Sequence, residues 1–146
     1  MTLAKAFAEM EGDWEGTAAF VDPAGRKLSL KRLTVACRID GAVMSIVNTF
    51  VDEAGTATVA RVRGAFDAAG RLHIESERTK GVAWESDGNV LAVWSAKADP
   101  ALRYWELATI HGGTYRTRTW HHLNRGRLEG VTVFEERKIA PAPARS

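Results

Sequence analysis

The sequence lacks most of the features that announce a specialised protein. It holds one cysteine, Cys37, in 146 residues, so no internal disulfide can form, and no Cys/His cluster has zinc spacing; no metal site is expected. Neither sign of charge dominates, with 20 Lys and Arg against 18 Asp and Glu. The resulting net charge of +2 is too small and too dispersed for a nucleic-acid clamp, and no nucleic-acid partner is expected. The opening residues contain no uninterrupted apolar segment, and no run reaches membrane-spanning length, so no membrane span is expected and the chain reads as soluble and cytoplasmic. Phosphate loop, nucleophile elbow and dinucleotide fingerprint are all missing.

What is present is punctuation and alternation. Leu3, Phe7 and Met10 fall on one stripe at helical spacing, with Thr2 placed to cap, and predict a short N-terminal helix. After it, turn signals recur at Asp22-Pro-Ala-Gly25, Asp40-Gly41, Asp52-Glu-Ala-Gly55, Asp67-Ala-Ala-Gly70, Lys80-Gly81, Asp87-Gly88, Asp99-Pro100, Gly112-Gly113 and Asn124-Arg-Gly126. Runs of strand length between them predict an antiparallel meander. In the three Asp-x-Ala-Gly turns, Asp accepts at the first turn position and Gly supplies the left-handed residue. One domain is expected over 1–139, with a disordered tail over 140–146 where alternation is lost.

The turns set registers, and registers assign faces. A two-residue loop at Asp40-Gly41 places Leu33, Val35, Cys37 and Ile39 on one face with Ala42, Met44, Ile46 and Asn48; Phe50, Thr58, Ala60, Val62, Gly64, Phe66, Leu72, Ile74, Ser76 and Arg78 continue it. On the other face Arg63 meets Glu75 and Arg61 meets Glu77, pairs suited to solvent. The apolar phase shifts between Leu28 and Leu30 on one side and Leu33 and Val35 on the other, which predicts a β-bulge near Lys31-Arg32. Val47, Val51, Val59, Val131 and Val133 are expected outward as an apolar patch, consistent with a homodimer.

About ten strands behind a short helix, with one apolar face throughout, predict an all-β closed up-and-down antiparallel barrel. At Gly12-Asp13-Trp14-Glu15-Gly16 the chain resembles the Gly-x-Trp opening strand of the calycin group, the lipocalins, fatty-acid-binding proteins and their bacterial cytoplasmic relatives. The resemblance implies a basic residue of the last strand packed over the Trp, and Arg137 in Phe134-Glu-Glu-Arg137 matches that place. Two group features are missing: the extracellular disulfide, and the Tyr-Pro-Thr stretch of the haem-binding ten-stranded relatives. No cofactor is expected.

The hairpin at Gly112-Gly113, read as a two-residue loop, pairs Thr109 with Arg116, Leu107 with Arg118, Trp105 with Trp120 and Arg103 with His122. One face then carries Trp105, Leu107, Trp120, Leu128 and Phe134 inward with Arg116, Arg118 and His122, beside Arg78, Trp84, Asn48 and Met44. Buried cations need partners. These residues would bind a small amphipathic or aromatic molecule with an anionic end, as the resemblance also implies for inward Arg residues on late strands. The other face would turn Tyr104, Glu106, Thr119, His121, Val131 and Val133 inward instead. The alternative function is a cofactor-free lyase, isomerase or cyclase, with His122 as base and Arg116 or Arg118 stabilising negative charge, or with Tyr104, Glu106 and His121 in the other register.

Overall fold

A computed structural model describes residues 2–143. A six-residue helix, α1 (Lys5–Met10), precedes ten strands: β1 (Gly12–Val21), β2 (Lys27–Asp40), β3 (Val43–Val51), β4 (Ala57–Phe66), β5 (Leu72–Ser76), β6 (Thr79–Ser86), β7 (Asn89–Ala96), β8 (Leu102–His111), β9 (Tyr115–Asn124) and β10 (Arg127–Ala140). Each strand pairs antiparallel with its sequence neighbours, and β10 pairs with β1 to close the barrel. Closure leaves no free sheet edge. The expected up-and-down barrel is the observed one. No helix among the described residues is long and apolar enough to cross a membrane.

The Asp-x-Ala-Gly turns follow the predicted chemistry. In each, the Gly amide donates to the Asp carbonyl and two further amides donate to Asp Oδ1, as at Asp22, Asp52 and Asp67. Gly25, Gly55 and Gly70 take φ of 86°, 85° and 83°, which glycine adopts without steric cost. Gly81, expected in a turn, instead lies within β6, where a Cβ would come 2.1 Å from the Val93 carbonyl oxygen.

Helix α1 plugs one end of the barrel. Ala6, Phe7 and Met10 are buried against Cys37, Ile39, Met44, Phe66, Leu72, Val90 and Ala108. The helix is capped by Ala4 and not by Thr2, and no side chain bonds to the cap. Beneath the helix, Trp14 is fully buried with Ala18, Leu33, Val35 and Phe134, and its indole N–H donates to the Met10 carbonyl at 2.9 Å. The residues covering the Trp14 ring are Arg116, at 4.3 Å from the ring centroid, and Lys138, at 5.0 Å. Arg137 faces the other way and lies over Tyr115, because in an antiparallel strand adjacent positions take opposite faces.

Several registers differ from expectation, and the size of each slip determines its consequence. The first hairpin turns at Gly41-Ala42, with Asp40 opposite Val43, so Ile39 meets Met44 and Val35 meets Asn48. This displacement by two residues preserves every face. Arg63 does meet Glu75, but the ladder ends at Val62 opposite Ser76, so Arg61 has no counterpart at Glu77. No bulge occurs at Lys31-Arg32; the irregularity sits between Ser29 and Lys27, and Leu28 and Leu30 point outward and exposed. The outward valines form no single patch, since β1 and β2 separate Val47, Val51 and Val59 from Val131 and Val133. Ala140, expected in the tail, ends β10; residues 144–146 of that tail lie outside the described residues.

Candidate functional site

The hairpin β8–β9 decides what the barrel interior contains. Its loop holds three residues, Gly112, Gly113 and Thr114, between the paired His111 and Tyr115. One residue more than expected reverses the face of β8 relative to β9, because side chains alternate with a period of two. The inward set is therefore Arg116, Arg118, Trp120 and His122 from β9 with Ile110, Ala108, Glu106 and Tyr104 from β8. The two alternatives left open by the sequence each contribute half. Trp105 and Leu107, expected inward, lie outside and exposed, and so does His121.

β10 adds a second shift. Arg125 and Gly126, with φ of 52° and 80°, form a two-residue loop of the mirror-image type that suits hairpin twist. The ladder then skips Glu129, so Gly130, Thr132, Phe134 and Glu136 face inward while Leu128 is exposed. Glu136, to which the sequence assigned no role, is buried opposite Arg116. Its two oxygens accept four bonds: from Arg116 Nε and Nη2, both at 2.9 Å, and from Arg118 Nε and Nη2 at 2.6 and 3.1 Å. Arg118 Nη1 also donates to Glu106 Oε2 at 3.2 Å, and the Trp120 indole N–H donates to the same oxygen at 2.9 Å.

This network supplies within the protein the anions that the buried guanidinium groups require. Two arginines face two carboxylates, and bidentate, charge-assisted geometry offsets much of the desolvation cost. Burial pushes the Glu136 carboxyl up, but Arg118 and Arg116 outweigh it and hold the pKa at about 2. For Arg118 burial opposes the charge, yet Glu136 and Glu106 prevail and its pKa is raised; Arg116 is lowered, by burial and then by Arg118. The electrophilic role expected of Arg116 and Arg118 has no free guanidinium face to rest on at Arg116, which is 1% exposed. Cys37, buried beside this cluster, has its thiol pushed up to about 11 by burial.

Away from the helix plug, burial declines along the inward faces. Phe20, Phe50, Trp94, Tyr104, Trp120, His122 and Thr132 all face inward yet are only partly buried, as are Ala60, Ser76, Thr79 and Gly81 across the barrel. Among the described residues no helix covers this end, the cup of the barrel. Its aromatic rings touch in series: Phe20 meets His122 at 5.1 Å between centroids, His122 meets Tyr104 at 5.1 Å, Tyr104 stacks on Trp94 at 5.5 Å, and Trp94 meets Trp120 at 5.3 Å. Trp120 then meets Phe50 at 6.4 Å and Phe134 at 4.6 Å. Arg118, with its guanidinium 4.3 Å from the Phe134 ring centroid, joins Glu106 as the charged floor. His122 Nε2 lies 2.7 Å from Thr132 Oγ1, and burial lowers its pKa, which favours the neutral ring.

The remaining expected site residues divide. Asn48 and Met44 face inward and are buried, but Met44 belongs to the core under the helix. Arg78 lies exposed in the β5–β6 turn, and Trp84 points outward opposite Leu91, because Ala83 and Ala92 hold the inner face there. Trp94 takes the place expected of Trp84; its alternation with Val90 and Ala92 was the available signal. For Glu136 the signal was Phe134-Glu-Glu136, which keeps parity with an inward Phe and puts a carboxylate opposite Arg-x-Arg. Two concavities of about 650 and 510 Å³ lie on the outer wall, around Gly16 and Gly81, and are bordered by exposed residues such as Glu15, Arg32, Glu135, Lys80 and Arg103.

The class so defined is a closed ten-stranded antiparallel barrel, plugged at one end and lined with aromatic residues at the other. No family model and no curated protein matches the sequence. Among solved structures, the chain is similar to a protein of unknown function from the DUF3598 family of Nostoc punctiforme, with TM-score 0.70 and 14% identity over 95% of this chain and 51% of that one. It spans about half the length of that neighbour. It is also similar to Rv2717c from M. tuberculosis, with TM-score 0.66 and 13% identity over 94% and 99% of the chains. EF1p2_mFAP2b bound to DFHBI matches at TM-score 0.51 and 11% identity, over 94% and 100%. These likenesses establish the fold.

Proposed function

We propose that this chain is a calycin-like barrel that binds a small aromatic molecule in the cup, against Trp94, Tyr104, Trp120, Phe50 and Phe20. The observation that carries this reading is the run of inward aromatic rings left partly exposed, since a ring facing a barrel interior is ordinarily either packed or covered by a ligand. EF1p2_mFAP2b, a barrel of like fold, is bound to the small dye DFHBI, which supports the capacity of the architecture. The anionic end expected for the ligand loses its argument, because Glu136 and Glu106 already occupy Arg118. A neutral aromatic molecule is favoured. Titration with naphthalene, indole, 2-naphthoate and fatty acids, followed by calorimetry and Trp fluorescence, is expected to give saturable binding of the neutral aromatics. Trp120→Ala should weaken it by tenfold or more. A flat response to the whole panel would remove the reading.

Self-association is a second proposal, supported by Trp105 and Leu107, adjacent outward positions on β8 that are 55% and 45% exposed. A large exposed Trp is the side chain that interface centres favour, and Leu107 extends its apolar surface. The expected result is a dimer in sedimentation velocity that Trp105→Ser converts to monomer. A wild-type monomer at high micromolar concentration would refute it.

A further inference from the structure

Among the described residues one buried side-chain polar atom lacks a hydrogen-bond partner, Asn48 Oδ1. Asn48 lies on the inner face of β3 and is only 5% exposed. Its surroundings explain the missing partner. The residues directly across from it are Val35 on β2 and Ala60 on β4, and its same-face neighbours on β3 are Ile46 and Phe50. None carries a side-chain polar atom. A buried amide oxygen left unpaired is costly, so a native barrel that keeps one has an occasional or permanent partner from outside the chain.

Asn48 is also well placed for such a partner. Phe50, its next inward neighbour, touches Trp120 of the aromatic series. On the wall beyond Ala60 the inward residues Ser76, Thr79 and Gly81 are small and partly exposed, so the inner wall carries small side chains on one side of the amide and rings on the other. We infer that Asn48 is the polar anchor of the cup and that the ligand is an aromatic molecule bearing a hydroxyl or ring N–H, which donates to the Asn48 amide while its ring lies against Trp120 and Phe50. A hydroxyl suits this place because it can both donate and accept, and so satisfies the amide in either of its two orientations.

The inference rests on aromatic binding in the cup and is tested so that the two fail separately. Binding of 2-naphthol, 2-methoxynaphthalene and naphthalene is compared by calorimetry in the wild type and in Asn48→Leu. The wild type is expected to bind 2-naphthol about tenfold tighter than either analogue, the effect of one buried hydrogen bond. Asn48→Leu should bring all three within about twofold while raising the melting temperature of the unliganded protein, because an unpaired acceptor has been replaced by an apolar group. Equal wild-type affinities for the three would overturn the anchoring role and leave aromatic binding standing. No binding of any of them would overturn both. If Asn48→Leu fails to fold, Asn48→Ala is compared in its place, with the same outcomes expected.

Discussion

Glu136→Gln is expected to destabilise the barrel by about 3–5 kcal/mol, lowering the melting temperature by roughly 10–20 °C for a chain of this size. Glu136 is 1% exposed and accepts four hydrogen bonds from two guanidinium groups. Gln keeps the shape, but it removes the charge and turns an N–H₂ toward N–H donors. Two buried cations would then share only Glu106, which reaches Arg118 alone. Desolvated charge without compensation is among the few causes of very large single-site losses. The same geometry predicts the pH response. Glu136 falls from an ordinary carboxyl value of 4.5 to about 2 in the folded protein. A depressed acid contributes stability that is complete above its unfolded pKa and disappears as pH drops through the folded one. The wild type should therefore lose about 3 kcal/mol between roughly pH 5 and 2, and the difference between wild type and Glu136→Gln should shrink over that range. Urea unfolding at a series of pH values measures both. A Glu136→Gln protein within 1 kcal/mol of wild type at pH 7 would show that the network does not form.

Gly16→Ala is the second large effect, of about 3 kcal/mol or more. Gly16 pairs with Glu136 across the seam where β1 meets β10, and a Cβ there would sit 1.7 Å from the Glu135 carbonyl oxygen and 2.8 Å from the Glu136 Cα. Both obstacles are backbone, so no side-chain rotation relieves them. The methyl group must push β1 and β10 apart at the closure of the barrel, directly beside the Arg116–Glu136 pair. Loss of stability should come with faster amide exchange across the β1–β10 ladder, from Ala18 to Glu15, while β4–β7 stay protected. Substitution without loss of stability would mean that the strands approach less closely than described.

Much of this fold was legible in the residues because hairpin chemistry is local. Asp-x-Ala-Gly specifies its turn within four residues, and a turn of known length transmits parity to both flanking strands. Thus Leu33, Val35, Cys37, Met44 and Asn48 were assigned inward correctly even though that hairpin's register was displaced by two. The cup was less legible, for two physical reasons. Gly112-Gly113 tolerates several turn geometries, and nothing local chooses between two and three loop residues, although that choice exchanges Trp105 for Glu106 in the interior. The skipped Glu129 similarly alters the path of β10 without a sequence mark beyond Gly130.

Charge was the other blind spot. The sequence alone determined that two arginines two residues apart share a face with Trp120, and that aromatic and apolar residues line the wall. Only the tertiary structure decided that the face is already neutralised. Glu136 lies 18 residues beyond Arg118 and becomes its partner through the antiparallel pairing of β9 with β10, while Glu106 arrives from the opposite side through β8. Alternation depends on each strand's own backbone and can be read one strand at a time. Compensation of a buried charge depends on which strands are adjacent and in what register, and that is settled only when the barrel closes.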